Sequence, residues 1–160
     1  MIFPDVDETT LFVDRNDTDE LLGTYSDHGF MLDQKHWPSV EHYFQAMKFE
    51  TTDEVHFEKI RLSESPKYAR KFGRVKSKKI RSDWPQVKRV VMTRALYTKC
   101  KAHEEVSAAL LESASRKIME NSQYDYYWGC GRDRRAQNIY GKVLMDVRAK
   151  LTAESAEVGA

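Results

Sequence analysis

Cysteine is scarce in this 160-residue chain: Cys100 and Cys130 are the only two, and they form no CxxC pair. That rules out a disulfide-rich framework and every zinc template built on paired cysteines, so free thiols in a reducing compartment are expected. Long apolar runs are missing as well, and nothing approaches the ~20 residues that a membrane helix needs. The opening "MIFPDVDETT" is acidic and has neither a basic n-region nor an apolar h-region, so no signal peptide is read there and a cytoplasmic location is expected. Nor is there an excess of one charge. With 26 Lys+Arg against 25 Asp+Glu the formal net charge is +1, and the whole molecule has no strong pull toward nucleic acid or an acidic membrane. At 41% hydrophobic and 32% charged, the composition is globular, and the length suits one domain with its own core.

The chain shows no repeats and no internal linker. Before Ser39 helix signals are few. "TLFV" and "GFMLDQKHWP" read as short strands, the second as a hairpin turning near Asp33-Gln34. From Ser39 on, helical patterns dominate. Ser39 is a candidate N-cap for a helix running to about Glu50. A second is predicted near Asp53 to Leu62, carrying the apolar Val55, Phe57 and Ile60. A third starts at Ser65-Pro66 and ends at Gly73. "SDWPQVKRVVMTRALYTKCKAH" is the longest candidate, capped by Ser82 or Asp83, with Val87, Val90, Val91, Ala95 and Leu96 as its apolar stripe. A shorter helix, Glu104 to Ser113, and a strand in "RKIMEN" follow. "YDYYWGCGRDRRAQN" reads as a loop, and a last helix spans about Ile139 to Leu151 ahead of a frayed tail. The predicted class is α+β: a single helix-rich domain with a small β-sheet, its core at about 22–151 within 1–160.

The densest chemistry is "WPSVEHYFQAMKFE". At about 100° per residue, Val40, Phe44 and Met47 fall together as a core stripe with Tyr43 beside them, while Glu41, Gln45 and Lys48 form a second, polar stripe. Aromatics on more than one face predict a helix buried on several sides, which turns the polar stripe toward a cleft. His42 reads as a packed core histidine. Glu41 sits in the first turn, where the unpaired backbone N–H groups and the helix dipole favour a carboxylate. Such a charge can stabilise a cationic transition state or orient water. Lys48, about 10 Å further along the axis, can counter a phosphate or act as a nucleophilic amine once desolvated. Ordinary readings stand beside these: a carboxylate that complements the dipole and a solvated lysine. Trp84 is either a core anchor or a stacking platform for a planar ring. Asp125 is either a turn cap or a carboxylate set among aromatics suited to a base and a sugar hydroxyl. "KYARKFGRVKSKKIR" holds eight basic residues and no acid, either a phosphate clamp or a solvated segment.

Four blocks, in order, resemble a known family. They are "WPSVEHYFQAMKF"; the spaced Trp84, Lys88, Val91-Met92, Ala95-Leu96 and Lys99; "D..WG.G" from Asp125 to Gly131; and "N..GK.LM.VR" from Asn138 to Arg148. Together they are similar to the YbiA-like N-glycosidase family, also called NADAR, over roughly Leu22 to Leu151. The resemblance implies a single α+β domain and hydrolysis of N-glycosidic bonds. Its implied substrates are small: phosphorylated ribosylamino-pyrimidines of early riboflavin synthesis, or ADP-ribosyl groups, including those carried on guanine in nucleic acid. It places the functional glutamate, tryptophan and aspartate on Glu41, Trp84 and Asp125, and a sugar-reactive lysine on Lys48. Tyr25, Tyr43, Gln45, Trp128, Gly129 and Asn138 are expected to bind substrate. No metal, no cofactor and no membrane partner is expected. One departure stands out: "LGTYSDHGF" carries Gly23-Thr24 where the family's block has serine-asparagine, so substrate choice is expected to differ if that loop touches the sugar or its phosphate. A module that binds ADP-ribose without turnover and a nucleic-acid enzyme using Lys67 to Arg81 are the competing readings.

Overall fold

The computed structural model describes residues 8–158; the first seven residues and the last two lie outside the described residues, and the tail expected to fray after Leu151 is helical through Val158. The elements run β1 (Leu11–Val13), β2 (Phe30–Leu32), β3 (Lys35–Trp37), α1 (Val40–Met47), α2 (Glu54–Arg61), α3 (Pro66–Gly73), α4 (Trp84–Ala102), α5 (Glu104–Glu112), β4 (Ile118–Glu120) and α6 (Ile139–Val158). The strands form two separate pairs. β2 and β3 make the expected hairpin, with Phe30 opposite Trp37, and its two-residue turn puts Asp33 and Gln34 at φ of 54° and 66°. β1 pairs in parallel with β4, Leu11 against Ile118 and Val13 against Glu120, so the segment ahead of the hairpin closes on the far end of the chain.

Local chemistry explains the helix starts. Ser39, Asp53 and Ser65 each accept a hydrogen bond from the backbone N–H three residues on, and Pro66 occupies the first turn of α3, where its missing N–H costs nothing. Asp83 precedes α4 but makes no such cap, because Arg81 takes its carboxylate at 2.6 and 3.0 Å.

Helix α1 is the centre of the molecule. All eight of its residues are buried, and α2, α3, α4 and β3 pack around it. His42 is the core histidine expected, its ring held between Ser39 Oγ (2.7 Å) and Ser63 O (3.0 Å). Trp37 and Tyr43 are wholly buried and meet edge to face at 5.0 Å. Two apolar assignments fail: Val55 is 83% and Val90 58% exposed, each lying on the solvent side of its helix. The last helix also outruns its expected end by two turns. Those turns reach α4, where Glu154 accepts a 2.6 Å hydrogen bond from Tyr97. Among the described residues no helix is long and apolar enough to cross a membrane. Cys100 and Cys130 are free and buried.

Candidate active site

The polar stripe of α1 does face a cavity. Glu41, Gln45 and Lys48 line it together with Phe44 from the same helix, and the space between the walls is about 150 Å³. Trp84, Lys88 and Met92 come from α4, and Arg70 and Arg74 from the C-terminal half of α3 and the residue after it. Arg15 and Thr24 enter from the N-terminal loops, and Asp125 and Trp128 from the loop after β4. The two carboxylates picked from distant segments therefore share one chamber.

Glu41 is held on all sides. Its backbone N–H donates to Thr24 O (3.0 Å), Thr24 Oγ1 lies 3.0 Å from Oε1, and Gln45 Nε2 donates to Oε2 (3.0 Å). Gly73 makes this possible, because a Cβ there would fall 2.0 Å from Gln45 Oε1. A carboxylate bonded this way accepts only and keeps one orientation. Thr24, one of the two residues that depart from the family's block, is thus bonded directly to the central glutamate.

Lys48 is partly buried and donates to Gly73 O at 3.3 Å. Burial lowers its pKa to about 8. The Glu41 charge opposes that fall, and the Arg74, Arg70 and Lys88 charges add to it. Asp125 receives N–H groups from Tyr127 (3.0 Å) and Trp128 (2.8 Å) on Oδ1, and Arg15 Nη2 on Oδ2 (2.5 Å). Burial alone would raise its pKa, but the Arg15 charge and these hydrogen bonds outweigh it and hold the carboxyl below the usual range. Asp125 is therefore both the turn cap and a charged wall of the cavity.

Phe44 is the hub of the aromatic wall, 5.0 Å from Trp84 and 5.5 Å from Trp128 between ring centroids. Trp128 is nearly buried, whereas Trp84 keeps a partly open face. The basic segment divides. Arg81 pairs with Asp83 and Glu50, and Lys78 with Asp53, so these tie down the connection between α3 and α4. Arg70 and Arg74 turn to the cavity instead, and among the described residues neither forms an ion pair. A wider recess of about 550 Å³ continues outward past Arg15, Arg70, Arg74 and Asp125 toward Tyr124 and Tyr126.

The family question is settled by length as well as motif, since a family model of the NADAR domain matches residues 8–152, which contain every residue of the cavity. The chain belongs to the NADAR family. The protein named N-glycosidase YbiA of Escherichia coli is 43% identical over 123 residues, 77% of this chain and 76% of that one. An N-glycosidase of Nostoc punctiforme is 34% identical over 131 residues, covering 81% and 84%. The maize "Riboflavin biosynthesis protein PYRR, chloroplastic" is 36% identical over 134 residues, 77% of this chain and 22% of the maize protein. The NMR structure of Escherichia coli YbiA aligns with a TM-score of 0.83 at 37% identity, over 95% of this chain and 90% of that one.

In this NADAR chain, several residues expected to bind substrate have other work. Tyr43 lies wholly in the core, and its hydroxyl donates to Asp33 Oδ2 (2.7 Å) while Arg94 donates to it (3.0 Å). Asn138 is buried and joins β4 to α6, accepting from Glu120 N (2.8 Å) and donating to Ile118 O (2.9 Å). Gly129 lies under the Asp125 turn, where a Cβ would meet Ser122 O at 2.6 Å. Tyr25 stands beside the cavity without lining it. Its pKa is raised by burial and by the Glu41 charge, against the Arg70 charge. Sequence reasoning missed Arg15, a single arginine after the first strand with no motif around it. Lys88, whose ammonium sits 3.8 Å from the Tyr127 ring centroid, was visible only as part of a family block.

Proposed function

We propose that this N-glycosyl hydrolase acts on a phosphorylated ribosylamino-pyrimidine of the kind formed early in riboflavin synthesis. The observation that carries the reading is one cavity that holds two fixed carboxylates, Glu41 and Asp125, an amine of lowered pKa, Lys48, and the open face of Trp84. The PYRR name of the maize relative supports the pyrimidine. Trp84, backed by Phe44, stacks on the flat base and keeps water from it. Arg70 and Arg74, free of ion pairs among the described residues, take the phosphate.

Cleavage of the glycosidic bond places positive charge on the sugar, as in the carboxylate-assisted hydrolysis of O-glycosides. Asp125, kept ionised by Arg15, offsets that charge or binds the sugar hydroxyls. Two routes serve the anomeric carbon. In one, Glu41 orients a water for direct attack. In the other, the Lys48 amine attacks, the base departs, and the opened sugar remains as a Schiff base until water releases it. The burial of Lys48 favours the second: with a pKa of about 8, about a tenth of the amines are neutral at pH 7. Borohydride added during turnover traps an adduct on Lys48 if that route operates, and traps none if water attacks directly.

One observation favours a second substrate. The outer recess past Arg70, Arg74 and Tyr124 gives room for a group beyond the first phosphate, which suits ADP-ribosyl guanine. Release of sugar phosphate from the pyrimidine substrate and of ADP-ribose from an ADP-ribosyl oligonucleotide, measured side by side, tests the proposal. Turnover of the pyrimidine substrate supports it. Turnover of the ADP-ribosyl oligonucleotide alone replaces it with the second reading, and binding without turnover of either would leave only a recognition module.

A further inference from the structure

His28 from the loop before β2, His103 between α4 and α5, and Glu105 in the first turn of α5 each offer one ligating atom, and the three atoms lie within 4.8 Å of one another. Glu105 Oε1 is 3.2 Å from His28 Nε2 and 3.8 Å from His103 Nδ1, and the two rings meet edge to face at 4.9 Å. None of these residues belongs to the cavity described above.

The far nitrogen of each ring is already engaged. His103 Nε2 lies 2.6 Å from Gly29 O, and a carbonyl only accepts, so this nitrogen carries the hydrogen. The neutral ring then points its Nδ1 lone pair at the Glu105 carboxylate. Two electron-rich groups so placed repel each other unless a proton on Nδ1 or a metal cation lies between them. His28 Nδ1 lies 3.0 Å from Ser26 Oγ, which also accepts from Lys99 Nζ at 2.7 Å. The hydroxyl oxygen has two lone pairs, so it can accept from His28 as well and free Nε2 toward the same carboxylate. A ring N–H given to a carbonyl or hydroxyl behind it is the arrangement that orients metal-bound imidazoles.

We infer that His28, His103 and Glu105 bind a divalent transition-metal ion of the zinc class, with the fourth position left to water. Two imidazoles and a carboxylate are ligands that suit zinc. Bonds of about 2.0–2.2 Å in a tetrahedron set ligand atoms about 3.4 Å apart; the two separations to Glu105, 3.2 and 3.8 Å, bracket that value, and the two histidine nitrogens, within 4.8 Å of each other, draw together on the ion. Glu105 has a 58% exposed side chain and is free to close on the ion. Sequence spacing hides the group, since His28 is far from the other two along the chain. The ion would clip the loop before β2 to the α4–α5 junction. That loop is also held by Lys99, which donates to Leu21 O, Gly23 O and Ser26 Oγ, and it carries Thr24 to Glu41.

The test is titration of untagged, EDTA-stripped full-length protein with zinc sulfate, followed by calorimetry and by thermal melting. Saturable binding of one ion per chain with a raised Tm is expected, weakened at least about 10-fold in Glu105→Gln and in His28→Asn. His36→Gln, on the exposed hairpin strand, should bind as the wild type does. Cobalt in place of zinc should give the visible absorption of a four-coordinate site. Absence of one-to-one binding, or equal affinity in Glu105→Gln, His28→Asn and the wild type, overturns the inference. The readout is metal binding, so it does not depend on the proposed substrate.

Discussion

Replacing Lys48 by methionine should make the protein more stable while abolishing covalent capture of the sugar. A fall in pKa from 10.5 to about 8, at about 1.4 kcal/mol per unit, means that burying the ammonium costs up to about 3 kcal/mol at neutral pH. Methionine keeps the aliphatic stem but loses the hydrogen bond to Gly73 O, worth about 1 kcal/mol. The net expected gain is about 1–3 kcal/mol, a rise in Tm of roughly 3–10 °C for a chain of this size. The pH dependence follows from the direction of the shift. Because the folded pKa lies below the unfolded one, the unfolded chain binds the extra proton between pH 8 and 10.5. Wild-type stability therefore rises relative to Lys48→Met across that window, and the gap closes toward pH 10.5. Urea melts of both proteins at pH 7, 8, 9 and 10 measure it. A variant that is less stable at pH 7, or a gap that widens with pH, would refute the idea that Lys48 is held at a cost.

Asp125→Asn leaves the nearly buried Arg15 without its partner and should cost about 3 kcal/mol. Since Asp125 titrates below its ordinary value when folded, this difference is full at neutral pH and shrinks as pH falls through 3.8 and below, which acid titration of the melting transition will show. Thr24→Val keeps the side-chain shape but removes the hydroxyl beside Glu41. The hydroxyl is buried and also bonded to Arg15 O, so a loss of about 1 kcal/mol predicts a kcat lower by roughly 5- to 10-fold, readable in steady-state kinetics, with a Tm lower by about 2–4 °C. Trp84→Ala removes the stacking face, and a loss of about 1–3 kcal/mol per base should weaken substrate binding by roughly 5- to 150-fold in equilibrium titrations.

Features that depend on a few neighbouring residues were legible in the sequence. The Ser39 cap and the helix starts at Asp53 and Ser65 act within three residues, and the Asp33-Gln34 turn lies inside its own hairpin. The α1 wheel correctly placed Glu41, Gln45 and Lys48 on one face, because aromatic residues on the other faces already implied burial all round. What failed needed knowledge of distant partners. Periodicity cannot tell whether an apolar side chain such as Val55 or Val90 meets a neighbour or solvent. The partner of Arg15 lies 110 residues away, and Leu11 of β1 finds Ile118 of β4 at a similar separation. Tyr43 shares the matching block with Glu41, yet points the other way, to Asp33 and Arg94. Membership of a motif locates a residue on an element but does not say which side of it the substrate occupies.

The central claim is that cleavage of an N-glycosidic bond in this cavity needs Glu41, fixed by Thr24 and Gln45, to orient the water that attacks the sugar directly or releases it from Lys48. Single-turnover release of the base from the ribosylamino-pyrimidine phosphate, compared between wild type and Glu41→Gln at saturating enzyme, tests it most directly. A rate lower by about 10²–10⁴-fold with substrate affinity retained is the expected result. A Glu41→Gln variant that turns over within about tenfold of the wild type would contradict it.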